Sequence, residues 1–345
     1  MASYQLFCMG NPLLDMQVRD GEEILKKYGL KSNDAILAEE KHLPIYDELA
    51  EKYQVTYVAG GASQNAARGA AYVLPPGSVV YTGCVGDDEL AEQLKAANKR
   101  EGLDQRYMVK KGERTGACAV TITGHDRSLV TALRAAEKFE KAHLSSPEVA
   151  PCIESAKVFY MEGFFLTHGS ESALELSKKA SEAGKVFVLN LSAPFIPQFF
   201  QVQMQQIMPY VDIVIGNESE AEAWAIATGH PEQKDLAAVA AAIAALPKSN
   251  PSRPRTVIIT HGPKATTVVS SADTASPKVY SVLPLKDEEI VDTNGAGDAF
   301  AGGFLGAYVL GKSQDECIEA GHKLGSMCVQ QVGPQYKWPK VDIFA

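Results

Sequence analysis

Short apolar runs rich in Val and Ile alternate with helix-length amphipathic segments through most of the 345-residue chain. Strands that are buried on both faces read as such runs, and parallel strands need a long crossover connection, usually a helix. The alternation therefore predicts an α/β fold in which helices cover a parallel sheet. The strands are predicted at residues 5–9, 78–82, 157–161, 185–191, 211–215 and 255–260.

Two stretches break this alternation. Residues 37–58 and 106–133 are less helical in pattern and contain alternating segments such as TGACAVTIT at 115–123. A small β lid inserted into the large domain would explain them. Residues 247–255 are expected to form a loop rather than a domain linker, because a strand signal follows them at once.

Composition excludes several classes of protein. Apolar residues make up 46% and charged residues 22% of the chain, which is ordinary for a globular protein. The net charge is -9 without a prominent Lys/Arg run, so no nucleic-acid partner is expected. The longest apolar stretch, 236–246, is shorter than the about 20 residues of a membrane span. It is expected to be a packed helix, and no membrane partner is expected.

The cysteines and the start of the chain concern the cellular compartment. The six cysteines are scattered without a CxxC pair, which favours buried reduced thiols. Residues 1–12, MASYQLFCMGNP, lack the basic and apolar segments of a secretory signal. A cytoplasmic location is expected, with nuclear presence left open.

Residues 291–303, VDTNGAGDAFAGG, lead from a strand end through a glycine-rich turn into a helix expected to reach about residue 310. Glycines let the backbone approach an anion closely, and a helix N-terminus offers free N–H donors, so phosphate is the natural ligand. Asp298 falls in the first helical turn, where its carboxylate could accept a proton from a substrate hydroxyl. The alternative is that Asp298 only stabilises the helix dipole.

Two better-known phosphate-binding motifs can be rejected here. Gly295 and Gly297 could begin a dinucleotide GxGxxG, but Phe300 occupies the place of the third glycine. Residues 306–313, GAYVLGKS, match the P-loop pattern GxxxxGK[ST]. A P-loop must leave a strand and enter a helix, whereas these residues are expected to end the preceding helix, with Gly311 as its stop.

The N-terminal part of the chain also has polar residues that follow a predicted strand or a pair of glycines. Asn11 and Asp15 come after the first predicted strand, in what reads as an apolar turn, and a carboxylate can accept two hydrogen bonds from a ribose cis-diol. An Asx-type turn would explain the same residues. Gly60 and Gly61 precede a predicted helix start, with Asn65 facing the same opening. A sugar could approach the backbone there, although such glycines are also common structural punctuation.

A third polar group follows the strand predicted at 211–215. Asn217 and Glu220 lie three residues apart at a helix start, where they could orient hydrated Mg²⁺ and the phosphates of a nucleotide. A helix N-cap with acidic first-turn residues is the structural alternative. Thr260 and Gly262, in the turn after the next predicted strand, are a further candidate nucleotide contact.

The glycine pair with Asn65, the segment NESE at 217–220 and the segment DTNGAGD at 292–298, in this order, resemble the ribokinase-like (PfkB) sugar and nucleoside kinases. Within that family, the adenosine-phosphorylating members are resembled at five further segments, 9–15, 126–129, 163–167, 189–195 and 208–213. The resemblance covers nearly the whole chain. It implies a doubly wound, mostly parallel sheet flanked by helices, in a single domain with a small β lid. The domain would span 1–345, with the lid inserted from about 15–20, 33–60 and 112–136.

The resemblance also implies a reaction. The γ-phosphoryl group of ATP would pass to the 5′-hydroxyl of adenosine with Mg²⁺, which gives AMP and ADP. Asp298 would be the general base, and Gly295, Ala296 and Gly297 would form the anion hole. Phosphoryl transfer asks mainly for positioning and charge neutralisation, and a closing lid excludes competing water. The expected partners are adenosine and ATP, and the protein is expected to be a monomer.

Individual roles are implied by the resemblance alone. Phe164 would stack on adenine, leucines would form the apolar walls of the lid, Arg127 would reach phosphate when the lid closes, and Glu220 would hold Mg²⁺ through water. On a purely structural interpretation Phe164 and the leucines are core residues. The residues implied for the acceptor are Asn11, Leu13, Asp15, Leu37, Gly60, Gly61, Asn65, Leu129, Leu133, Phe164 and Asn294. Those implied for the nucleotide donor are Asn190, Asn217, Glu220, Thr260, Gly262 and His322.

Two positions depart from the pattern of the adenosine-phosphorylating members. Ala35 stands where Gln is common, and Ala62 stands where Ser often follows the glycine pair. Both are expected near the nucleoside pocket, where they bear on analogue tolerance and not on the type of reaction. Two alternatives stay open: a kinase for ribose, inosine or a related acceptor, and a catalytically silent nucleoside-binding protein.

Overall fold

A computed structural model describes residues 3–19, 21–32, 34–124 and 126–345, without the side chains of residues 34, 35 and 126. The side chain of Ala35 therefore lies outside the description, as does part of the expected lid segments 15–20, 33–60 and 112–136. The described strands are β1 (Leu6–Met9), β2 (Leu13–Arg19), β3 (Asp34–Leu37), β4 (Thr56–Gly60), β5 (Val79–Thr82), β6 (Cys84–Gly86), β7 (Asp104–Gln105), β8 (Met108–Lys110), β9 (Ala117–Thr123), β10 (Asp126–Ala132), β11 (Val158–Glu162), β12 (Val186–Asn190), β13 (Ile213–Asn217), β14 (Thr256–Thr260), β15 (Ala265–Ser270) and β16 (Asp273–Ser281).

The described residues also form twelve α-helices. They are α1 (Glu22–Tyr28), α2 (Ile45–Lys52), α3 (Ala62–Val73), α4 (Glu89–Glu101), α5 (Ala150–Ser155), α6 (Ser170–Glu182), α7 (Phe195–Phe199), α8 (Gln201–Ile207), α9 (Glu218–Thr228), α10 (Leu236–Ala244), α11 (Ala296–Val309) and α12 (Gln314–Val329). Short 3₁₀ turns lie at Glu40–His42, Arg134–Lys138, Lys141–Ser145, Gly163–Thr167, Met208–Tyr210 and Asp287–Glu289.

The main sheet has nine strands in the order β16-β15-β14-β13-β12-β11-β1-β5-β7. Neighbouring strands from β14 to β7 are parallel, and β15 and β16 add antiparallel pairs at one edge. The six predicted strands are β1, β5, β11, β12, β13 and β14, which lie side by side in this sheet. The α/β prediction and the doubly wound, mostly parallel sheet are therefore confirmed.

Two apolar layers cover the faces of the main sheet. Residues Leu6 and Cys8 of β1 pack on one face with apolar residues of α3, α4, α11 and α12. Residues Phe7 and Met9 pack on the other face with α6, α9 and α10. Because successive strand residues point to opposite faces, a strand between two helix layers must be apolar throughout, as β1 is.

A second sheet of five strands has the order β3-β10-β9-β2-β4. The small core beside it includes Met16 of β2 together with Ile45, Tyr46 and Leu49 of α2. The expectation of a less helical pattern at 37–58 is wrong, because α2 lies within that stretch and buries these three residues. The strand β2 also replaces the turn expected around Asp15. The position of the second sheet agrees with an inserted lid, whose boundaries stay a prediction.

The C-terminal helices explain the false P-loop match. Residue Gly306 lies inside α11, Gly311 follows that helix with a φ of 74°, and the side chain of Ser313 caps α12. The prediction that this stretch ends a helix is confirmed. The apolar stretch 236–246 is likewise a packed helix, since it forms α10.

The remaining compositional expectations concern cysteines and membranes. All six cysteines are buried and free, as predicted. Within the described ranges, the helices are all too short or too polar to cross a membrane.

Candidate active site

A cavity of about 570 Å³ lies between the carboxyl ends of β1 and β11, the first turns of α3 and α11, and the five-stranded sheet. Ligands of doubly wound folds bind at this edge of the sheet. The cavity brings together the following residues that were predicted from sequence: Asn11, Leu13, Asp15, Leu37, Gly61, Asn65, Leu129, Leu133, Phe164, Asn294, Gly295, Ala296, Gly297 and Asp298.

The glycine-rich turn forms one end of this cavity. Residue Gly295 precedes α11 with a φ of 77°, a left-handed conformation that L side chains rarely adopt. A Cβ atom at this position would also lie 2.6 Å from Cβ of Pro334. The turn therefore requires glycine. It starts the helix at the cavity, where the N–H of Ala296 donates 3.4 Å to the backbone oxygen of Thr293, and a helix N-terminus leaves further N–H donors without a partner inside the helix.

The carboxylate of Asp298 lies in the first turn of α11 and is held from α3. The amide Nδ2 of Asn65 donates a hydrogen bond of 2.9 Å to Oδ2 of Asp298. Burial raises the pKa of Asp298 to about 7, and the Asn65 hydrogen bond and the charge of Arg68 oppose that shift. A carboxylate with a pKa near neutral pH is suited to accept a proton from a substrate hydroxyl.

The residues predicted to bind ribose include Asp15 and the glycine pair Gly60 and Gly61, which lie in close contact with one another and with Asn11. A Cβ atom at Gly60 would lie 2.2 Å from Oδ1 of Asp15, so Gly60 leaves room for this carboxylate although it is not part of the cavity lining. Residue Gly61 has a φ of 89°, and a Cβ atom there would lie 2.1 Å from the backbone oxygen of Asn11. Burial raises the pKa of Asp15 to about 7, which the charge of Arg68 opposes.

Asn11 is oriented by two residues that sequence reasoning missed. Its backbone N–H donates 2.9 Å to Oε1 of Glu162, and its Oδ1 lies 2.8 Å from Nε2 of His168. Burial lowers the pKa of His168 to about 4, so the ring is neutral. Because Oδ1 of Asn11 is an acceptor, Nε2 is the nitrogen that carries the proton and donates it. Among the described residues, Nδ2 of Asn11 finds no hydrogen-bond partner, so it is left to donate to a ligand.

Aromatic and aliphatic side chains line the rest of the cavity. The ring of Phe164 lies 5.8 Å from the ring of Phe195, tilted by 43°. Leu37 is 54% exposed although it is large and apolar, which fits a residue that a ligand or a moving lid covers. The remaining wall contains Leu129, Leu133 and Ala62, the last of which is one of the two departures from the family pattern.

The predicted nucleotide-donor residues lie outside the lining of this cavity, along the neighbouring strand ends. In register, Asn190 of β12 pairs with Ile215, and Asn217 of β13 pairs with Thr260 of β14. Asn217 caps α9, and Glu220 completes a reciprocal capping box with it. The helix N-cap that was the structural alternative for Asn217 and Glu220 is therefore confirmed. Their contact with a nucleotide stays a prediction.

Two further residues predicted to contact the donor nucleotide, Gly262 and His322, lie near β14 and β15. Gly262 follows β14 with a φ of 50° and has an open surrounding. His322 lies on α12, where Nε2 is 2.8 Å from Oγ1 of Thr266 and the ring packs 5.6 Å from Phe300. Burial lowers the pKa of His322. The nucleotide contacts of both residues stay predictions.

Arg127 does not line the cavity but is paired beside it. Its Nε lies 2.5 Å from Oδ1 of Asp292, and both side chains are largely buried. Asp292 also accepts hydrogen bonds from the backbone N–H groups of Asn294 and Gly333. Among the described residues, Nη1 of Arg127 has no partner. The ion pair joins β10 of the small sheet to the segment that precedes the glycine-rich turn.

Several lining residues were not predicted as site residues, including Glu162, Ser192 and Phe195. Glu162 ends β11, and Ser192 follows β12 with a φ of 71° while its Oγ accepts a hydrogen bond from N–H of Gly163. The rule that selected Asn217 and Thr260, namely polar residues at strand ends, would also have found Glu162 and Ser192. The other unpredicted lining residues are Ile36, Cys118, Thr131, Thr167, Ala193, Pro194 and Thr293.

The family resemblance assigns Mg²⁺ to Glu220, through water. Within the described residues, no group of three or more His, Cys, Asp or Glu side chains could hold a metal ion. Both carboxylate oxygens of Glu220 already accept hydrogen bonds from Asn217, at 3.0 and 2.9 Å. This arrangement fits Mg²⁺ bound through water, which is common for Mg²⁺ in nucleotide sites.

Comparison with known proteins gives consistent matches. The model of the pfkB family carbohydrate kinases matches residues 24–341. The adenosine kinase of Schizophyllum commune is 69% identical over 99% of this chain and 100% of its own length.

Two solved structures are also similar to this chain. One is Anopheles gambiae adenosine kinase in complex with P1,P4-di(adenosine-5) tetraphosphate, with a TM-score of 0.89 and 42% identity over 95% of this chain and 96% of that one. The other is Schistosoma mansoni adenosine kinase with adenosine in an occluded loop conformation, with a TM-score of 0.90 and 36% identity over 98% of both chains.

Proposed function

The chain belongs to the pfkB family of carbohydrate kinases, and on that premise we propose that it transfers the γ-phosphoryl group of ATP to the 5′-hydroxyl of adenosine. The observation that carries this proposal is the single cavity that contains both Asp298 at the start of α11 and Asp15 on β2. A partly buried carboxylate at a helix N-terminus suits proton acceptance beside an anion, and a second carboxylate suits a vicinal diol.

The chemical step needs little covalent work from the protein. The 5′-oxygen of adenosine attacks the γ-phosphorus, the bond between that phosphorus and the bridging oxygen breaks, and ADP leaves with its electron pair. The hydroxyl proton passes to the carboxylate of Asp298, and AMP is the second product. The N–H groups around Gly295, Ala296 and Gly297 stabilise the negative charge on the transferred group.

We assign the nucleoside to the cavity as follows. Asp15, Asn65 and the backbone at Gly61 bind the ribose. Nδ2 of Asn11, which has no partner in the part of the chain that the structure describes, donates to an acceptor on the nucleoside. Phe164 stacks on the base, since a flat aromatic ligand gains from an aromatic partner. Leu37, Leu129 and Leu133 cover the ligand from the side of the small sheet.

The donor nucleotide belongs at the ends of β12, β13 and β14. Asn190, Asn217 and Thr260 present polar groups there, and Gly262 leaves open space for a ligand to approach. Mg²⁺ bound with ATP would neutralise phosphate charge, and Glu220 would orient its water ligands. Arg127 would reach phosphate through Nη1, which has no hydrogen-bond partner among the described residues. The expected monomer and the expected cytoplasmic location, with nuclear presence open, stay predictions.

Acceptor competition tests the proposed substrate. ADP formation from MgATP is measured with adenosine, inosine and ribose at equal concentration. Adenosine should be preferred to ribose, because ribose would leave the apolar surfaces of Phe164, Leu129 and Leu133 uncovered. Preference for ribose or inosine would replace the substrate and keep the reaction type.

Asp298→Asn tests the proposed base and the binding-protein alternative together. The substitution keeps the shape of the side chain but removes its capacity to accept a proton. We expect kcat to fall by about 10²–10⁴-fold with adenosine affinity and thermal stability largely retained. A parent chain that binds adenosine in calorimetry but forms no ADP with any acceptor would support the silent binding protein instead.

A further inference from the structure

We infer that Arg68 is a positioning residue that fixes Asn65 and, through it, holds the Asp298 carboxylate in the orientation and charge state required for proton acceptance. The inference rests on the proposed phosphoryl transfer, and it concerns a residue that does not line the cavity. Neither the sequence motifs nor the cavity lining pointed to Arg68.

The guanidinium of Arg68 is fully buried and fixed from several segments of the chain. Its Nε donates 2.8 Å to Oε2 of Glu101 on α4, and its Nη2 donates 2.8 Å to Oε1 of the same carboxylate. Its Nη1 donates 2.6 Å to the backbone oxygen of Ala59, and Nη2 donates 2.9 Å to that of Pro334. A paired fork of this kind leaves the guanidinium one orientation.

One donor remains for the active site. Nη1 of Arg68 also donates 3.1 Å to Oδ1 of Asn65. Because Arg68 has only donors, Oδ1 of Asn65 must face it, and the amide nitrogen must face Asp298. The 2.9 Å hydrogen bond from Nδ2 of Asn65 to Asp298 follows from this arrangement. Without Arg68 the amide could turn over and present its oxygen to the carboxylate, which would repel it.

Arg68 also supplies positive charge to an acidic region. The ionisable groups that interact with Asp298 come from most of the elements around it, and they are Asp15 on β2, Tyr160 and Glu162 on β11, Glu220 on α9, Cys328 on α12, and Tyr336. Against them, Arg68 from α3 favours the ionised form of Asp298, as does the hydrogen bond of Asn65. Glu101 balances part of that positive charge from the far side of the guanidinium.

If Arg68 had only a structural role, its removal would give a different result. An anchor that only ties α3 to α4 and to the segment at Pro334 would lower stability and activity at every pH when it is removed. A residue that keeps Asp298 ionised instead moves the pH at which activity is lost. The two effects can be separated in a pH profile of kcat at saturating adenosine. The charge of Arg68 also lowers the pKa of Asp15, and kcat reports the substrate complex, in which the proposed ribose contact of Asp15 has already formed.

The experiment compares this profile in the parent, Arg68→Met, Arg68→Lys and Glu101→Gln. In Arg68→Met the acid limb should shift upward by about one pH unit, so that activity recovers partly as pH rises. In Arg68→Lys the charge is kept and the limb should stay near that of the parent, while kcat falls because the fork is lost. In Glu101→Gln the guanidinium charge is less balanced, so the limb should shift downward.

Each outcome bears on the inference. An acid limb in Arg68→Met that coincides with the parent limb overturns it. If thermal unfolding shows that Arg68→Met does not fold, Glu101→Gln decides, because a limb that stays in place or moves upward overturns the inference. A parent inactive with adenosine overturns the proposed function, and with it this inference, whereas an active parent with unshifted variants overturns the inference alone.

Discussion

Three carboxyl groups that line one cavity, of which Asp298 is only partly buried, have pKa values near or above neutral pH. Burial raises the pKa of Asp15 and of Asp298 to about 7 and that of Glu162 to about 8. A site that is to receive ATP gains from such values, because each proton that a carboxyl group holds removes a negative charge that would repel the phosphates. Asp298 must still lose its proton for catalysis, which the charge of Arg68 favours.

These raised pKa values predict how stability depends on pH. A carboxyl whose pKa is higher in the folded than in the unfolded state keeps its proton in the folded state, so the free energy of unfolding falls as pH rises through that window. For Glu162 the window runs from its ordinary value of 4.5 to about 8. Between pH 6.5 and 8, Glu162 should contribute a decrease of up to about 1.4 kcal/mol per pH unit.

Glu162→Gln tests this dependence. The amide oxygen can still accept the hydrogen bond that Asn11 N–H donates to the carboxylate, but the side chain no longer titrates. Urea unfolding of parent and variant between pH 6.5 and 8 should give a shallower decline in the variant. Parallel declines would contradict a pKa near 8 for Glu162.

At the residue scale, the motif residues could be predicted from the sequence, but the residues that orient them could not. Asp298 and Asn65 stand beside glycines at helix starts, which is a local signal. Arg68 could not be found in this way, because its partners Glu101 and Pro334 are 33 and 266 residues away along the chain. Its role depends on a packing arrangement that no local pattern reports.

At the scale of elements, α3 and α11 cross very closely, and their crossing sets the distance between Asn65 and Asp298. A Cβ atom at Gly302 of α11 would lie 2.6 Å from the backbone oxygen of Ala66 and 2.7 Å from Cα of Gly69. Backbone atoms of α3 cannot move aside alone, so a side chain at Gly302 would push the two helices apart.

Gly302→Ala is therefore expected to lower both stability and activity. Overpacking a tight helix contact costs about 1–3 kcal/mol, and a shift of α11 would lengthen the Asn65–Asp298 hydrogen bond and lower kcat. Urea unfolding and steady-state kinetics measure the two effects.

Gly325→Ala on α12 is the matched control. A Cβ atom there would lie 3.4 Å from its nearest neighbour, the backbone oxygen of Ala296, which is an ordinary contact. This variant should be neutral or gain up to about 1 kcal/mol from the better helix propensity of Ala. Equal stability of Gly302→Ala and Gly325→Ala would contradict the close crossing.

The elements that sequence predicted and those that it missed differ in burial. The six predicted strands are buried between helix layers, and their apolar runs report this directly. The edge strand β16 reads DTASPKVYS and is exposed over nearly its whole length, so it carries no apolar pattern. The helix α2 was missed because its apolar face covers only the small sheet.

At the scale of the whole molecule, the relation between the two sheets could not be derived from sequence pattern. The small sheet pairs β3 with β10 and β2 with β9, which are contacts between distant parts of the chain. Its place beside the cavity follows from the connections, since β2 continues from β1 and β4 leads into α3. The expectation of a lid came from the pattern at 37–58 and 106–133 as well as from family resemblance, and the motion of the lid stays a prediction.

The ion pair between Arg127 and Asp292 is suited to hold the small sheet against the cavity. If it does, Arg127→Gln should weaken adenosine binding about tenfold even in the absence of ATP, because the nucleoside would lose part of its cover. The loop at Asp292 should survive the change, since the backbone N–H groups of Asn294 and Gly333 still satisfy its carboxylate. Calorimetry with adenosine alone separates this effect from any phosphate contact of Arg127.

Arg114→Gln provides the control for this prediction. It removes the same kind of ion pair, with Asp47, but both of those side chains are more than half exposed, and exposed pairs contribute little. Adenosine affinity should therefore be unchanged in Arg114→Gln. Equal affinities in the parent, Arg114→Gln and Arg127→Gln would mean that the ion pair does not hold the small sheet over the nucleoside, and that the apolar contacts of Leu37, Leu129 and Leu133 suffice to cover it.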